Sequence, residues 1–499
     1  MAEIHTKTLC RLSWRRSKQS PPLSALTEVY SQLGSPSILG GNSAATAGGR
    51  FSYWAAEPRE IFAFGHGQEH PLEQLDTLLG RYRLEGGDAL PDGIFKGGWI
   101  GYFAYDLGHH IAGITAKAID DIGLPLIRLC FYDQFIAYDH IDSVFYLIAL
   151  HLPEDAQTPN KKINSLEDML SKARSTRGPI VRGEAVHPGA IDFSHIRCNM
   201  PREYFMRMFR KIRRHIYEGD VYQINFSQRF ECDCDAAPVS LFHWENLHNP
   251  SPQAAYIDAG DFQIVSTSPE LFVEIKDGLI RTKPIKGTRA RVNAGLVGAE
   301  QAEAINGRNL AELIESEKEQ AELNMIVDLE RNDVARMCVP GTRSVLQGRT
   351  IETFATVFHA VATVGGTLRA GITLSDVLRA MFPGGSITGA PKLRAMEIIE
   401  EIEPTARGLY AGSIGYIGVD GNASLNIAIR TAIIIRQKAF VQTGGGIVAD
   451  SEPQAEWDET IIKARALLAG VYATQKRGRR IVAAAGRNPS IESDTTQKI

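Results

Sequence analysis

Residues 271–289 read Leu-Phe-Val-Glu-Ile-Lys-Asp-Gly-Leu-Ile-Arg-Thr-Lys-Pro-Ile-Lys-Gly-Thr-Arg. Leu271–Ile275 is one apolar strand and Leu279–Lys283 its partner. Asp277-Gly278 supplies the tight turn between them, because glycine takes positive φ without a Cβ clash. The pattern recurs. Ala254–Asp258 pairs with Phe262–Thr267, and Gly412–Gly418, Ala423–Ile435 and Ala439–Thr443 form a meander turning at Asp420-Gly421 and around Arg436–Lys438. A chain joined mainly by hairpins builds antiparallel sheets rather than a wound parallel one. With helices between the hairpins, the expected class is α+β. Lys286 follows the second strand, in a turn where Gly287 lets the backbone approach a neighbour. Such a lysine can be a charge for a substrate carboxylate, a nucleophile or a solvated loop residue, and taken alone the solvated reading is favoured.

The chain has 499 residues, 44% apolar and 22% charged, the composition of an ordinary soluble globular protein with roughly three domains. A net charge of −4 favours neither nucleic acid nor an anionic membrane as partner. No apolar run reaches the roughly 20 residues of a membrane helix. The first twenty residues are basic without an apolar core, so no secretory signal is expected. Six cysteines are scattered, and Cys232-Asp233-Cys234 is too tight and solitary for zinc. Reduced thiols in a cytoplasmic protein are the expectation. None stands in a Gly-x-Cys-x-Gly elbow, so glutaminase chemistry is not expected here.

Residues 1–152 form a strand-rich lobe: strands at Ile4–Leu12, Phe51–Ala56, Ile61–Gly65, Lys96–Phe103, Leu129–Tyr138 and Ser143–Leu152, with a helix at Ser24–Leu33. Residues 153–197 are a polar connector with a short helix at Ser165–Ala173. Residues 198–473 carry the informative block. Residues 474–499, basic and then rich in Ser, Asn and Asp, are expected to be disordered. Within the block, Arg202–Glu218 is an amphipathic helix with Phe205, Phe209, Ile212 and Ile216 on one face. Val221–Phe230 alternates Tyr222, Ile224 and Phe226 with Gln223, Asn225 and Ser227. That makes a strand with a polar face.

Two helices carry Glu-x-x-Glu. One runs from about Arg308 to Arg336 with Glu319 and Glu322. The other runs from Pro453 to Val471 with Glu456, Glu459 and Lys463. Spacings of three and four put each set on one face. Singly, such faces are solvated; together they make an all-carboxylate site suited to Mg²⁺. Two glycine-rich turns, Phe382–Lys392 and Thr443–Ile447, offer backbone N–H groups to an anion, without Walker spacing. Arg430, in the apolar stretch Leu425–Ile435, calls for an anionic partner.

These segments resemble the chorismate-utilising enzymes, over about Pro201 to Tyr472. The motifs are Gly219-Asp220-Val221-Tyr222-Gln223-Ile224-Asn225, Ser268-Pro269-Glu270-Leu271-Phe272, Pro284-Ile285-Lys286-Gly287-Thr288-Arg289, Lys318-Glu319-Gln320-Ala321-Glu322, Asp328-Leu329-Glu330-Arg331-Asn332-Asp333, Gly389-Ala390-Pro391-Lys392, Ile429-Arg430-Thr431 and Gly444-Gly445-Gly446-Ile447-Val448. The resemblance implies large antiparallel sheets packed face to face with helices outside. Anthranilate synthases of this family typically have alanine where Lys286 stands, and aminodeoxychorismate synthases lysine. The implied reaction is therefore chorismate plus ammonia to 4-amino-4-deoxychorismate, the ammonia coming from a glutamine amidotransferase partner. Pyruvate elimination to 4-aminobenzoate falls to another protein.

The implied roles are Lys286 as nucleophile, Glu270 as general acid and base, and His359 near the ring. Glu322 and Glu459 would hold Mg²⁺, with Glu319 and Glu456 in support. Arg430, Lys463, Tyr410, Thr388 and the Gly444, Gly445 and Gly446 amides would hold substrate. Isochorismate and salicylate synthases carry a water-activating lysine in the strand where Gln223 stands. Leu39-Gly40-Gly41-Asn42 departs from the Leu-Leu-Glu-Ser of tryptophan-sensitive relatives, so tryptophan feedback is not expected.

Overall fold

The computed structural model describes residues 7–41, 49–86, 89–176, 196–292, 298–354 and 357–475. Two large sheets dominate. The larger runs from Arg197–Cys198 and Gln223–Asp233 through Lys438–Ile447, Thr431–Ile435, Phe262–Ser268 and Gln253–Asp258. It continues through Ser37–Leu39, Phe51–Ala55, Gln134–Asp139, Val144–His151 and Thr8–Arg16 to Tyr82–Glu85. The smaller runs from Ile285–Ala290 through Val357–Thr367, Leu279–Lys283, Leu271–Lys276, Ala423–Asn426, Ser413–Gly418, Gly98–Phe103 and Ile127–Tyr132 to Glu60–Phe64. Among the strand pairs described, only Thr8–Arg16 with Tyr82–Glu85 is parallel. Both sheets take strands from either side of residue 152.

The sheets pack face to face, as α+β sequences with this hairpin pattern require. Alternation along each strand sends every second residue inward. Phe262 and Ile264 meet Tyr102, Phe103 and Phe272 of the smaller sheet in one core. Val265, the next residue along, points the other way. With Ala432, Ile434 and Val441 it packs under the helices Leu23–Ser31, Pro159–Ser175, Pro238–His248 and Pro453–Thr474. The Glu317–Ala335 helix lies against Val357–Thr367 of the smaller sheet.

The chain crosses between the sheets repeatedly, and two of the crossings build the site. Phe262–Ser268 belongs to the larger sheet and Leu271–Lys276 to the smaller, with Pro269-Glu270 at the crossing. Their neighbours make the same move in reverse. Ala423–Asn426 pairs with Leu271–Lys276, and Thr431–Ile435 pairs with Phe262–Ser268. Arg430 lies at that second crossing, with φ at +47°. The single strand expected over Leu425–Ile435 is thus two strands in two sheets, and Arg430 is a junction residue instead of a strand residue. Leu129–Tyr138 likewise divides into Ile127–Tyr132 and Gln134–Asp139 about Asp133.

Three other expectations are corrected. The helix expected from Arg308 to Arg336 is two helices, Ala299–Glu315 and Glu317–Ala335. Ser316 breaks them and caps the second, its hydroxyl accepting from Glu319 N–H. The connector helix is longer, Pro159–Ser175. The last helix runs on to Thr474, and the expected disordered tail lies outside the described residues from 476 onward. No helix among the described residues is long and apolar enough to cross a membrane.

One buried ion pair ties the Leu107–Ala112 helix to the Lys392–Ile402 helix: His109 Nε2 lies 3.1 Å from Glu400 Oε1. Glu400 Oε2 also accepts from Lys117 and Ala118 N–H at 2.8 and 3.2 Å. Burial alone would raise Glu400, but His109 and these amides hold it down at about 2. Against the pull of burial, Glu400 and Asp106 raise His109. The signs fix a window. A depressed carboxylate stabilises above its unfolded pKa, and that gain fades as pH falls through about 2. A raised imidazole stabilises below its unfolded pKa and stops doing so as pH rises through the folded value. The stability gap between the native chain and Glu400→Gln should therefore be widest near pH 5 to 6, at about 3 kcal/mol, and should narrow toward alkaline pH. Thermal melts across pH check this; a gap independent of pH would contradict it.

Candidate active site

The site begins with a local irregularity in the Ile285–Ala290 strand. Ile285 faces Val361 and Thr288 faces His359, so two residues, Lys286 and Gly287, oppose one, Ala360. The extra residue is a bulge at Lys286-Gly287, with Gly287 at φ +98°. Lys286 is thus in a bulged strand, not in the turn expected from the sequence. A bulge re-aims its side chain out of the ladder. A Cβ on Gly287 would meet Leu313 Cδ1 at 2.8 Å and Glu319 Oε2 at 3.1 Å. The glycine therefore lets the acidic helix close over the bulge. The preceding turn has Asp277 and Gly278 both at positive φ, +49° and +78°, the type I′ geometry of a two-residue hairpin.

Lys286 Nζ donates to Ser386 O at 3.3 Å. Burial pulls its pKa below the usual lysine range, while the carboxylates of Glu322 and Glu270 oppose the shift. Glu270, at the sheet crossing, is 4% exposed, and burial raises its carboxyl. Its main chain holds the other crossing: Ile427 N–H donates to Glu270 O at 3.0 Å, as Thr267 N–H does to Arg430 O. Burial lowers the Arg430 guanidinium, opposed by Glu245 and then Glu270. Its strained φ and half-buried charge are what a residue kept for an anion shows. His359, 1% exposed, shares a 2.8 Å hydrogen bond between Nδ1 and Thr288 Oγ1. Burial, then Arg430, hold it neutral, with a pKa of about 3. Its Nε2 is buried without a partner.

The two acidic helices meet on either side of Lys286. Glu322 and Glu459 both act on its charge. Glu319 accepts from Arg289 Nη1 at 2.7 Å. Glu456 accepts from Ser451 Oγ at 2.6 Å. Glu459, its side chain 53% exposed, pairs with Lys463 at 2.7 Å, which holds it low. Burial raises Glu322 and Glu456, and their acidic neighbours add to the shift. Glu319 Oε2 is buried without a hydrogen-bond partner. The four carboxylates do not draw any three ligand atoms within 4.8 Å, as Asp106, His109 and Glu400 do. Their chemistry nevertheless fits a hard dication: oxygen donors alone, one of them orphaned, with Glu322 and Glu456 raised by burial and by their acidic neighbours.

The opposite wall is the polar face of Gln223–Asp233. Ile224 and Phe226 pack outward under Phe205, Phe209 and Ile399. Gln223, Asn225 and Ser227 point inward and are buried. They face the glycine run in register: Asn225 opposite Gly446 and Ser227 opposite Gly444. A Cβ on Gly444 would meet Tyr410 OH at 2.9 Å, one on Gly445 would meet Glu456 Oε2 at 2.8 Å, and one on Gly446 would meet Gln223 Nε2 at 2.8 Å. Three side chains therefore occupy the space three glycines leave. Lys463 Nζ donates to Gly444 O at 2.9 Å. Thr388 Oγ1 donates to Gly384 O at 2.9 Å, so its hydroxyl secures the glycine-rich turn.

The sequence-derived set thus converges from both sheets and both acidic helices. Sequence reasoning did not assign Ser386, the acceptor for Lys286, although the glycine-rich turn around it was noted. Nor did it assign Gln223 as a site group: its amide is fully buried and both polar atoms lack a partner. The inward polar face of this strand was the available signal.

Two acidic helices, a desolvated amine, a neutral histidine and a glycine run in register with a polar strand face thus stand together. Residues 42–469 match the chorismate binding enzyme family, and the chain belongs to it. It is 38% identical over 409 residues to anthranilate synthase component 1 of Pseudomonas putida, covering 81% of this chain and 80% of that one. It is 37% identical over 434 residues to aminodeoxychorismate synthase component 1 of Bacillus subtilis (strain 168), covering 84% and 89%. Its fold matches the crystal structure of anthranilate synthase component I from Streptococcus pneumoniae TIGR4 with a TM-score of 0.70 and 31% identity, covering 85% and 93%.

Proposed function

We propose that the chain is the aminodeoxychorismate synthase component, converting chorismate and ammonia to 4-amino-4-deoxychorismate and water. Relatives of the aminodeoxychorismate and anthranilate synthase kinds are about equally similar, so overall identity does not decide between them. Lys286 carries the reading: a desolvated amine aimed by a bulge at a cleft walled by Glu270, Glu322 and Glu459. An alanine there would leave only direct attack by ammonia.

In this reading Arg430, Lys463, Tyr410 and the glycine amides hold the two carboxylates. A dication between Glu322 and Glu459 would neutralise the ring carboxylate and polarise the diene. The neutral Lys286 amine forms a bond to C2, both ring double bonds shift by one position, and the C4–O bond breaks. Glu270 gives its proton to the departing hydroxide, and the amine's proton returns to Glu270. Ammonia then bonds to C4, both double bonds shift back, and the C2–N bond breaks as Glu270 gives its proton to the departing Lys286 nitrogen and regains one from the new C4 ammonium. His359 Nε2, unpartnered and neutral, is available to a substrate oxygen. The ammonia donor is a glutamine amidotransferase partner, and the product feeds 4-aminobenzoate and folate synthesis.

Incubating the chain with chorismate, Mg²⁺ and an ammonium salt, with the product identified by mass and chromatographic standard, tests the assignment. Aminodeoxychorismate is the expected product. Anthranilate or isochorismate in its place would overturn it. Chelation should remove at least roughly 100-fold of the rate, restored by Mg²⁺. A rate indifferent to chelation would remove the metal from the account.

A further inference from the structure

The geometry points to Arg407 as the residue that positions Tyr410, and through it the carboxylate clamp; the inference rests on the functional reading above. Arg407 is 3% exposed. Its guanidinium makes four hydrogen bonds. Nε and Nη2 form a fork on Glu403, at 2.9 Å to Oε2 and 2.7 Å to Oε1. Nη2 also donates to Asn225 O at 2.6 Å, and Nη1 to Ile387 O at 2.9 Å. The cation lies 4.6 Å from the centre of the Tyr105 ring and 5.7 Å from that of Tyr410.

Each contact ends on a wall of the site. Asn225 stands opposite Gly446, and its Nδ2 donates to Tyr410 OH at 3.4 Å. Ile387 directly follows Ser386, whose carbonyl takes the Lys286 amine. Glu403 Oε1 accepts from both N–H and Oγ of Ser227, at 2.9 Å each, and Ser227 stands opposite Gly444. One buried pair therefore fixes the Tyr410 ring from its face and its hydroxyl from the side. The phenol is held over Gly444, where a Cβ would collide with it. Four of the five N–H groups of Arg407 are spent inside the protein, so it acts on substrate through Tyr410 and Asn225. Lysine keeps the charge but has neither the planar fork nor the ring-stacking plane, so it cannot replace the arginine.

A double-mutant cycle on the full chain separates positioning from mere stability. Ammonia-dependent chorismate turnover is measured for the native chain, Arg407→Lys, Tyr410→Phe and the double variant, with thermal melts alongside. Arg407→Lys should raise KM for chorismate at least 10-fold with kcat changed less than 3-fold. The double variant should be no more than about 3-fold worse in kcat/KM than the worse single variant. Glu403→Gln, which preserves shape and breaks the fork, should repeat both results should Arg407→Lys fold poorly. Losses that multiply in the cycle, or an unchanged KM with a lower active fraction, would overturn the positioning role. A native chain inert toward chorismate and ammonium would instead overturn the functional reading beneath it.

Discussion

Lys286→Ala should reduce amination of chorismate by at least roughly 10³-fold while chorismate still binds. The groups proposed to hold the two carboxylates are untouched, so the loss belongs to kcat. Lys286→Arg should fail equally, because a guanidinium keeps its proton at all relevant pH. The pH dependence follows from the sign of the shift. Burial places the Lys286 ammonium below the usual lysine range, and only the neutral amine attacks. The rate should therefore climb with pH along a limb that lies below that range. Turnover at the native rate in the alanine variant, read by product mass, would remove the nucleophile from the account.

Glu270→Gln should lower kcat by roughly 10² to 10⁴ with KM within a few-fold. The amide fills the same space and can still accept from Ile285 N–H, but it has no proton to give. Burial raises Glu270 and lowers Lys286, so both favour the uncharged form. The pair of neutral amine and protonated acid is a tautomer of the ion pair, with the same proton count. Desolvation populates it. The native rate should follow a bell, falling on the alkaline side as the pair loses its last proton. In Glu270→Gln that alkaline limb should vanish. A native-like bell in the variant would assign the acid elsewhere.

Much of this was legible in the chain. The hairpin signal at Asp277-Gly278, the inward polar face of residues 223–227 and the paired acids on two helices need only local periodicity and turn chemistry. What stayed hidden depends on partners in space. Leu425–Ile435 is continuous in apolar character, and nothing in its pattern marks where the strand leaves one sheet for the other. The crossing appears only when Leu271–Lys276 and Phe262–Ser268 are seen to cross with it. The bulge at Lys286-Gly287 needs the opposite strand for its definition. Ser316 breaks a charge-rich helical pattern that reads as continuous, because a capping serine is tolerated in either setting. Arg407 carries no local signal at all; its role exists only where Glu403, Asn225 and Ile387 meet.

The most direct test of the central claim is a mass measurement on the protein itself. Chorismate is added with Mg²⁺ but without ammonia, the mixture is quenched rapidly, and the chain is digested. The account predicts a fraction of protein heavier by chorismate minus water, with the addition on the peptide containing Lys286, discharged when ammonium is supplied. Amination proceeding at full rate with no such adduct, or with the adduct on another residue, would contradict it.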